Sequence, residues 1–561
     1  MAVLPFLDYR PDVSDLNAQY TKSVLNVLPR SDGYGPFQGP NQYGSALAAQ
    51  CRGLFVARMT DGSVLIFAGT SDKLYMLDNT YLTWTDVSAG AGTYTALSND
   101  RNWSFAQFNN YVIATQANDD VQVYEIGVSS AFADLTGSPP RAAYVSVVNR
   151  FVVLSGLASA PRRVHWSGLN AVTTWTSGTN YSDFQDLPDG GNTTRVIGGE
   201  FGIIFQDSAI RRMVFSPGSD IVFQIDRIAK DLGDVAPDAV IDADGRLFFL
   251  SAKGFYSLTP DGGLTPIGRE KVDRTFNEDY DSAHPELIQG VSRPSQHLVL
   301  WTYKAITDNV TYWTRILAYD YVLDRWTKIE LSGEFLATSA RPGLTLENMD
   351  LIGSIAVSGA ADNGSGLVRL TVSSTSGWTT GDQKTVASVG GTTEANGLWT
   401  ITVVDGTHID LQGSTFANAY TSGGYVAVSV DAIDIPSFDD ITSATLARLA
   451  LVDTSHNLAF FSGDNLEATM ETSEQSGIAK RVFIRGFYPL TDAATCYGST
   501  GRRENLYDAA SYTDEQAVNA QGFIPQRAST RHARAKIRIP EATTWTYATG
   551  VEPDVTSEGK R

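Results

Sequence analysis

Cysteine, positive charge and long apolar runs are what this 561-residue chain has least of. Only two cysteines occur, Cys51 and Cys496, far apart in sequence. Two isolated thiols exclude a disulfide scaffold and a thiolate-based metal site, and predict free, buried side chains in a reducing compartment. No stretch approaches the roughly 18 apolar residues of a membrane-spanning helix. The opening Met1-Ala2-Val3-Leu4-Pro5-Phe6-Leu7-Asp8 lacks the basic start and long apolar core of a signal peptide, so synthesis and folding in a cytoplasm are expected. Lys and Arg number 42 against 62 Asp and Glu, a formal net charge of −20. Tight nucleic-acid binding rests mainly on cations that neutralise phosphates, so this balance argues against it. It leaves room for passing contact, since an acidic wall repels a polyanion that moves along it.

Aromatic and β-branched residues are plentiful, and glycine is high at 50 residues, a mixture that favours short strands and tight turns over long helices. The length predicts two to four domains. Residues 1–45 read as an extended arm rich in Pro, Gly, Asn and Tyr, with one helix-like stretch near Val13–Leu28. From Ala46 onward a unit of apolar strands and turns recurs. Its first copy is Ser63–Gly69, Lys73–Leu77 and Trp84–Val87, its second Ser104–Phe108, Tyr111–Thr115 and Val121–Glu125. A third spans Ala142–Val148, Arg150–Leu154 and Arg163–Ser167, and a fourth Thr194–Ile197, Gly202–Phe205 and Ile210–Phe215. A fifth spans Ala239–Ile241, Arg246–Leu250 and Gly254–Leu258. The sixth is Leu287–Gly290, His297–Trp301 and Arg315–Asp320, closed by Arg325–Ile329. A period of about 40 residues is that of a four-stranded propeller blade, whose apolar faces only neighbouring blades can cover. The fold predicted is all-β: a propeller of six to seven blades over residues 46–353 and 431–464.

Composition shifts over residues 354–430, which are rich in Thr, Ser, Gly, Val and Ala and nearly free of charge. Alternation in Leu367–Val372 and Trp399–Val404, with turns at Gly381-Asp382, Asn396-Gly397 and Asp405-Gly406, predicts a small β-sandwich-like insertion. Leu346–Leu351 before it, and Leu449–Val452 with Leu458–Phe461 after it, read as one interrupted piece of propeller. Residues 465–561 form a C-terminal β-region outside the blade pattern. There Ala533–Ile539 alternates so that Arg534, Lys536 and Arg538 share one strand face and Ala533, Ala535, Ile537 and Ile539 the other. Three cations on one face in an acidic chain are a candidate interface for an acidic partner or phosphate, although such a face is more often a solvated one paired with local carboxylates.

No catalytic signature stands out: there is no phosphate-binding loop, nucleophile elbow or metalloprotease helix. His165, His284, His297, His408, His456 and His532 never fall at ligand spacing. Asp242-Ala243-Asp244-Gly245 faintly resembles a calcium loop, but its twelfth position is Lys253, and a hairpin turn accounts for it. Asp439-Asp440 and Glu278-Asp279-Tyr280-Asp281 are carboxylate pairs of the type glycoside hydrolysis needs, at a spacing common on ordinary loops. Ser167-Gly168-Leu169-Asn170 with Trp175 matches the repeated box of propeller glycosidases loosely, once, and without its Asp and Gly. The expectation is a protein that is not an enzyme and that takes no cofactor or metal.

The chain resembles the tail-nozzle, or packaged-DNA stabilisation, proteins of short-tailed bacteriophages. The likeness lies in Asn17–Leu28 with Ser31–Gln42, in Arg163–Ser167 leading to Trp175, in Leu317–Asp320 with Trp326, in Phe460–Gly463 with Leu466–Thr472, and in the ending Gly559-Lys560-Arg561. The run Thr392–Ile401 resembles small β-modules that decorate the outside of phage structural proteins. The resemblance implies a virion protein of the tail, assembled in the host cytoplasm and forming a ring, usually of six copies. Its partners would be itself, an adaptor or connector through the C-terminal region, tail fibres or spikes, and double-stranded DNA in transit. Its role would be to extend and help close the DNA channel in genome retention and ejection. The alternative is a propeller tail protein that binds or hydrolyses carbohydrate.

Overall fold

The computed structural model describes residues 3–14, 19–79, 82–98, 100–219, 221–340, 354–375, 378–427, 447–476 and 481–557. Among the described residues seven four-stranded antiparallel sheets recur. Their first strands are Gly53–Arg58, Ser104–Phe108, Tyr144–Val148, Thr193–Ile197, Ile241–Ala243, Gly290–Arg293 and Phe335–Ser339. Neighbouring first strands lie side by side around an axis except at blades 4 and 5, which are joined through an apolar cluster, and Phe335–Ser339 lies against Gly53–Arg58, which closes a ring. Apolar clusters fill the seams between blades, as in Phe67 and Leu74 against Val112 and Tyr124, or Phe205 and Ile210 against Leu247 and Phe249. The fold is therefore a seven-bladed β-propeller, the upper count expected from the repeats. The seventh blade is completed by Phe335–Ser339, Arg448–Val452, Asn457–Phe460 and, from the other end of the chain, Asn41–Ala46. Joining the two ends in one blade ties the ring shut.

The sequence pattern passed over the first strand of blade 1 and the polar outermost strands Ala133–Asp134 and Asp183–Asp186. Outermost strands bury little, so they carry no apolar run to detect.

The expected arm is not a free arm, and the helix expected near Val13–Leu28 does not form among the described residues. That stretch runs as Tyr20–Thr21, Val24–Leu25 and Val27–Arg30. Asn26 in the left-handed region (φ 57°) breaks any helical register, and Pro29 cannot donate within a helix. Tyr20–Thr21 pairs in parallel with Asp8–Tyr9, and the other two strands join two sheets built largely from the C-terminus. One sheet runs Ile524–Thr530, Val482–Thr491, Ala548–Ser557, Gly33–Pro36, Val27–Arg30, with Leu4–Pro5 added on Ala548–Ser557. The other runs Val24–Leu25, Ala468–Glu471, His532–Ile539, Tyr497–Arg503, Ser511–Tyr512. The C-terminal β-domain is thus a two-sheet domain built from both ends of the chain.

This terminal domain shares a core with the seam of blades 5 and 6, where Phe6, Val27, Tyr34, Met470 and Ile537 join one cluster with Phe255, Trp301 and Trp326. Polar bonds reinforce the joint. Arg325 of blade 6 pairs with Asp8 at 2.7 Å and donates to the carbonyls of Arg30 and Gly33. Asp12 accepts the N–H groups of Arg274 (2.8 Å) and Thr275 (2.9 Å), capping the helix Asp273–Asp279 from a distant segment.

The insertion closes its sheet into a six-stranded barrel running Ile355–Asp362, Val368–Val372, His408–Gln412, Gly397–Val403, Gln383–Ala387, Tyr425–Ala427. Among the described residues its core draws only on its own side chains, including Leu370, Ile401 and Leu411. The propeller strands that flank it are Phe335–Ser339 and Arg448–Val452, which pair with Ser339 opposite Arg448. The expected strand Leu346–Leu351 and the pair Asp439-Asp440 lie outside the described residues.

Candidate docking interface

Strand His532–Ile539 lies inside the second terminal sheet, between Ala468–Glu471 and Tyr497–Arg503. Ala535, Ile537 and Ile539 point into the core. Arg534, Lys536 and Arg538 share the opposite face, as alternation requires. That face is largely answered from within. Arg538 bridges Glu467 (2.8 Å) and Glu515 (2.7 Å) and lies over the Tyr497 ring. Arg534 lies 3.2 Å from Glu471, a carboxylate only 4% exposed, to which Tyr512 also donates. Gly501 opposite Arg534 leaves the space this arginine and Tyr512 fill, since a Cβ there would come within 3.0 Å of both. Lys536 has the Tyr512 ring 5.7 Å away and no carboxylate partner among the described residues. Arg534 is thus tied into the fold, whereas Lys536 is the cation left over. Removing the first would take the cation from a buried carboxylate, a change on the order of 3 kcal/mol, and removing the second would not.

Beside this face lies a buried group that the sequence did not announce. Glu474 and Arg503 pair at 2.7 Å, 4% and 7% exposed, next to buried His532, whose Nδ1 is 2.8 Å from the Ser476 hydroxyl. The three lie on separate segments that only sheet pairing brings together.

The second region of polar density is one mouth of the propeller axis, where residues just before the first strands converge. Asn102, ahead of blade 2, accepts from Arg52 of blade 1 at 3.2 Å. Its amide nitrogen donates to Asp238, ahead of blade 5, at 2.9 Å and to the Glu286 carbonyl, ahead of blade 6, at 3.2 Å. Asp238 in turn takes Arg195 of blade 4 at 3.3 Å. In a seven-membered ring blades 2 and 5 stand on opposite sides, so this chain of bonds spans the axis and bars it. Asp234 beside it is buried, accepts from Thr194, and has its other oxygen unpartnered among the described residues. Burial pushes its carboxyl up to about 7. Burial likewise raises Glu334, which accepts the Cys51 N–H at 2.8 Å and faces His456 at 2.7 Å across the closing seam.

The other residues singled out in the sequence stay apart. The histidines sit with separate partners: His165 near the Trp175 carbonyl, His284 on Glu286, His408 on Asp405, and His297 against Tyr321. No group of three or more His, Cys, Asp or Glu is placed to hold a metal among the described residues. Asp244-Gly245 forms a two-residue hairpin turn, both at positive φ, with Ala243 paired to Arg246. Asp279 accepts Tyr303 and Lys328, while Asp281 pairs with Lys304, so these carboxylates serve different cations. Ser167 and Trp175 are buried, and Ser167 accepts from the Val152 N–H. Both cysteines are free and buried, and burial pushes each thiol up to about 12.

No family model matches the chain, and no curated protein does. Among solved structures, a quinonprotein alcohol dehydrogenase-like protein from Bacteroides thetaiotaomicron aligns with TM-score 0.34 and 10% identity, over 53% of this chain and 76% of its own. BamB from Moraxella catarrhalis aligns with TM-score 0.32 and 9% identity, over 75% of this chain and 99% of its own. At that distance neither activity nor partners transfer.

Proposed function

We propose that this chain is a structural subunit of a phage tail, the distal nozzle that extends the DNA channel and takes part in genome retention and ejection. The observation that carries the reading, beside the sequence resemblance, is the division of charge along the fold. Residues 41–464, which hold the propeller and barrel, have 46 acidic against 27 basic side chains, whereas residues 465–561 have twelve of each. An acidic wall repels a polyanion and lets it pass. A balanced terminal domain packs against protein neighbours without that repulsion. Because the bonds through Asn102 bar the propeller's own axis, the conduit in this reading runs between several copies arranged in a ring. Lys536, with Tyr512 beside it, is the docking cation this reading assigns toward the adaptor, and the protein is not an enzyme.

The test is mass photometry of the purified chain alone and with connector rings from the phage that encodes it. Addition to the rings in a fixed whole-number ratio is expected. Absence of any association, together with release of reducing ends from host surface glycans, would overturn the reading in favour of a glycan hydrolase.

A further inference from the structure

The hairpin that joins Tyr497–Arg503 to Ser511–Tyr512 carries Tyr507 86% exposed and Leu506 41% exposed at its tip. An aromatic side chain this bare, on a protein whose other tyrosines are mostly covered, calls for a reason. The tip is not loose. The Asn505 N–H and side-chain amide both donate to Asp508 (3.1 and 3.0 Å), and the Asp508 N–H returns to the Asn505 carbonyl at 3.1 Å. From beneath, Arg503 donates to the Leu506 carbonyl at 2.9 Å while its other nitrogen pairs with buried Glu474. A buried ion pair thus fixes the backbone of a protruding loop. Preorganisation of this kind lowers the entropy lost when an anchor docks.

The same domain has a groove of about 760 Å³ along the free-edge strand Ile524–Thr530 of the other sheet. Phe483 and Pro525 contribute its apolar lining, Arg485 and Arg527 its cations, and Asp514 is its carboxylate. The Arg485 side chain is 58% exposed and only 4.0 Å at best from Asp554. A groove with an aromatic ring and two accessible guanidinium groups suits a tyrosine beside an acid, because guanidinium stacks on the ring and attracts the carboxylate. The tip offers that pair in Tyr507-Asp508.

We propose that Tyr507 is the anchor of an interface between copies of this chain, seated in the Phe483–Arg485–Arg527 groove of a second copy. The exposure of Tyr507 rules out that its own groove holds it. A knob and a complementary groove at different places on one domain make a heterologous contact, the kind that can close copies into a ring. The proposal names the copy-to-copy contact that the nozzle reading requires. Its failure is distinguishable from failure of that reading, because docking to the connector is measured separately.

Sedimentation velocity on the full chain across micromolar concentrations tests it. The native chain associates. Tyr507→Ala, which touches no buried group, and the double variant Arg485→Glu, Arg527→Glu, on exposed side chains, each weaken association at least tenfold with unchanged melting temperature. An equimolar mixture of the two variants associates again, since each supplies the half the other lost. A native chain that stays monomeric at tens of micromolar, variants that associate like the native chain, or a mixture that stays monomeric would each overturn the assignment.

Discussion

At the scale of single residues, the informative positions are those where burial and charge conflict. Asp234 sits wholly inside the propeller mouth with one oxygen unpartnered, and desolvation holds its proton up to about pH 7. Its folded value therefore lies above that of an unfolded aspartate near 4. Between those values the native state binds a proton that the unfolded state has released, so stability is greatest in acid and falls as pH rises through 7. The slope is about 1.4 kcal/mol per pH unit at most. Asp234→Asn keeps the acceptor for Thr194 and removes the titration. Thermal melts at intervals from pH 5 to 8 are expected to show the variant gaining on the native chain as pH rises. Parallel curves for the two proteins would show that Asp234 does not keep its proton.

At the scale of elements, the barrel and the blades illustrate opposite degrees of dependence. Among the described residues the six barrel strands pair only with one another and share a core of their own side chains, so the barrel does not draw on the propeller to cover it. A single blade has two apolar faces and is stable only between neighbours. Since Ser339 pairs with Arg448, the flanking strands are already in register for a hairpin. Replacing residues 340–447 by Asn-Gly is expected to leave a propeller with a melting temperature within a few degrees of the native one, because that dipeptide favours the two-residue hairpin turn. Residues 354–427 alone are expected to unfold cooperatively when followed by circular dichroism. Loss of soluble propeller on excision would show that the insertion helps hold blade 7.

At the scale of the whole molecule, the chain is closed by its ends. Asn41–Ala46 completes blade 7, and residues 4–36 complete both terminal sheets, so the last strands made pair with the first. Such contacts span nearly the full sequence and make for slow folding. Deleting residues 1–36 removes Tyr34 and Val27, both fully buried, and uncovers the Ala548–Ser557 strand. Limited proteolysis of that truncated chain is expected to digest residues beyond about 465 well before the propeller, since every blade seam but that of blades 5 and 6 keeps a cluster clear of the deleted core residues. Equal resistance across both regions would show that the terminal domain stands without the N-terminal strands.

What the sequence determined alone was the local texture: apolar strands and turns at a fixed period, the composition break at the barrel, and the alternation that sets Arg534, Lys536 and Arg538 on one face. These are short-range features, carried by neighbouring residues. The two-sheet terminal domain, the closing strand of blade 7, the bond across the axis through Asn102 and the support of Tyr507 by Arg503 and Glu474 were decided only by tertiary structure. Each joins residues tens to hundreds of positions apart, and a polar side chain that meets its partner across such a distance looks in sequence like any solvated loop residue. Val13–Leu28 shows the same limit in one segment. It read as helix-like, but Val24–Leu25 pairs with the distant strand Ala468–Glu471 and Val27–Arg30 with Gly33–Pro36, and strand pairing overrode local preference.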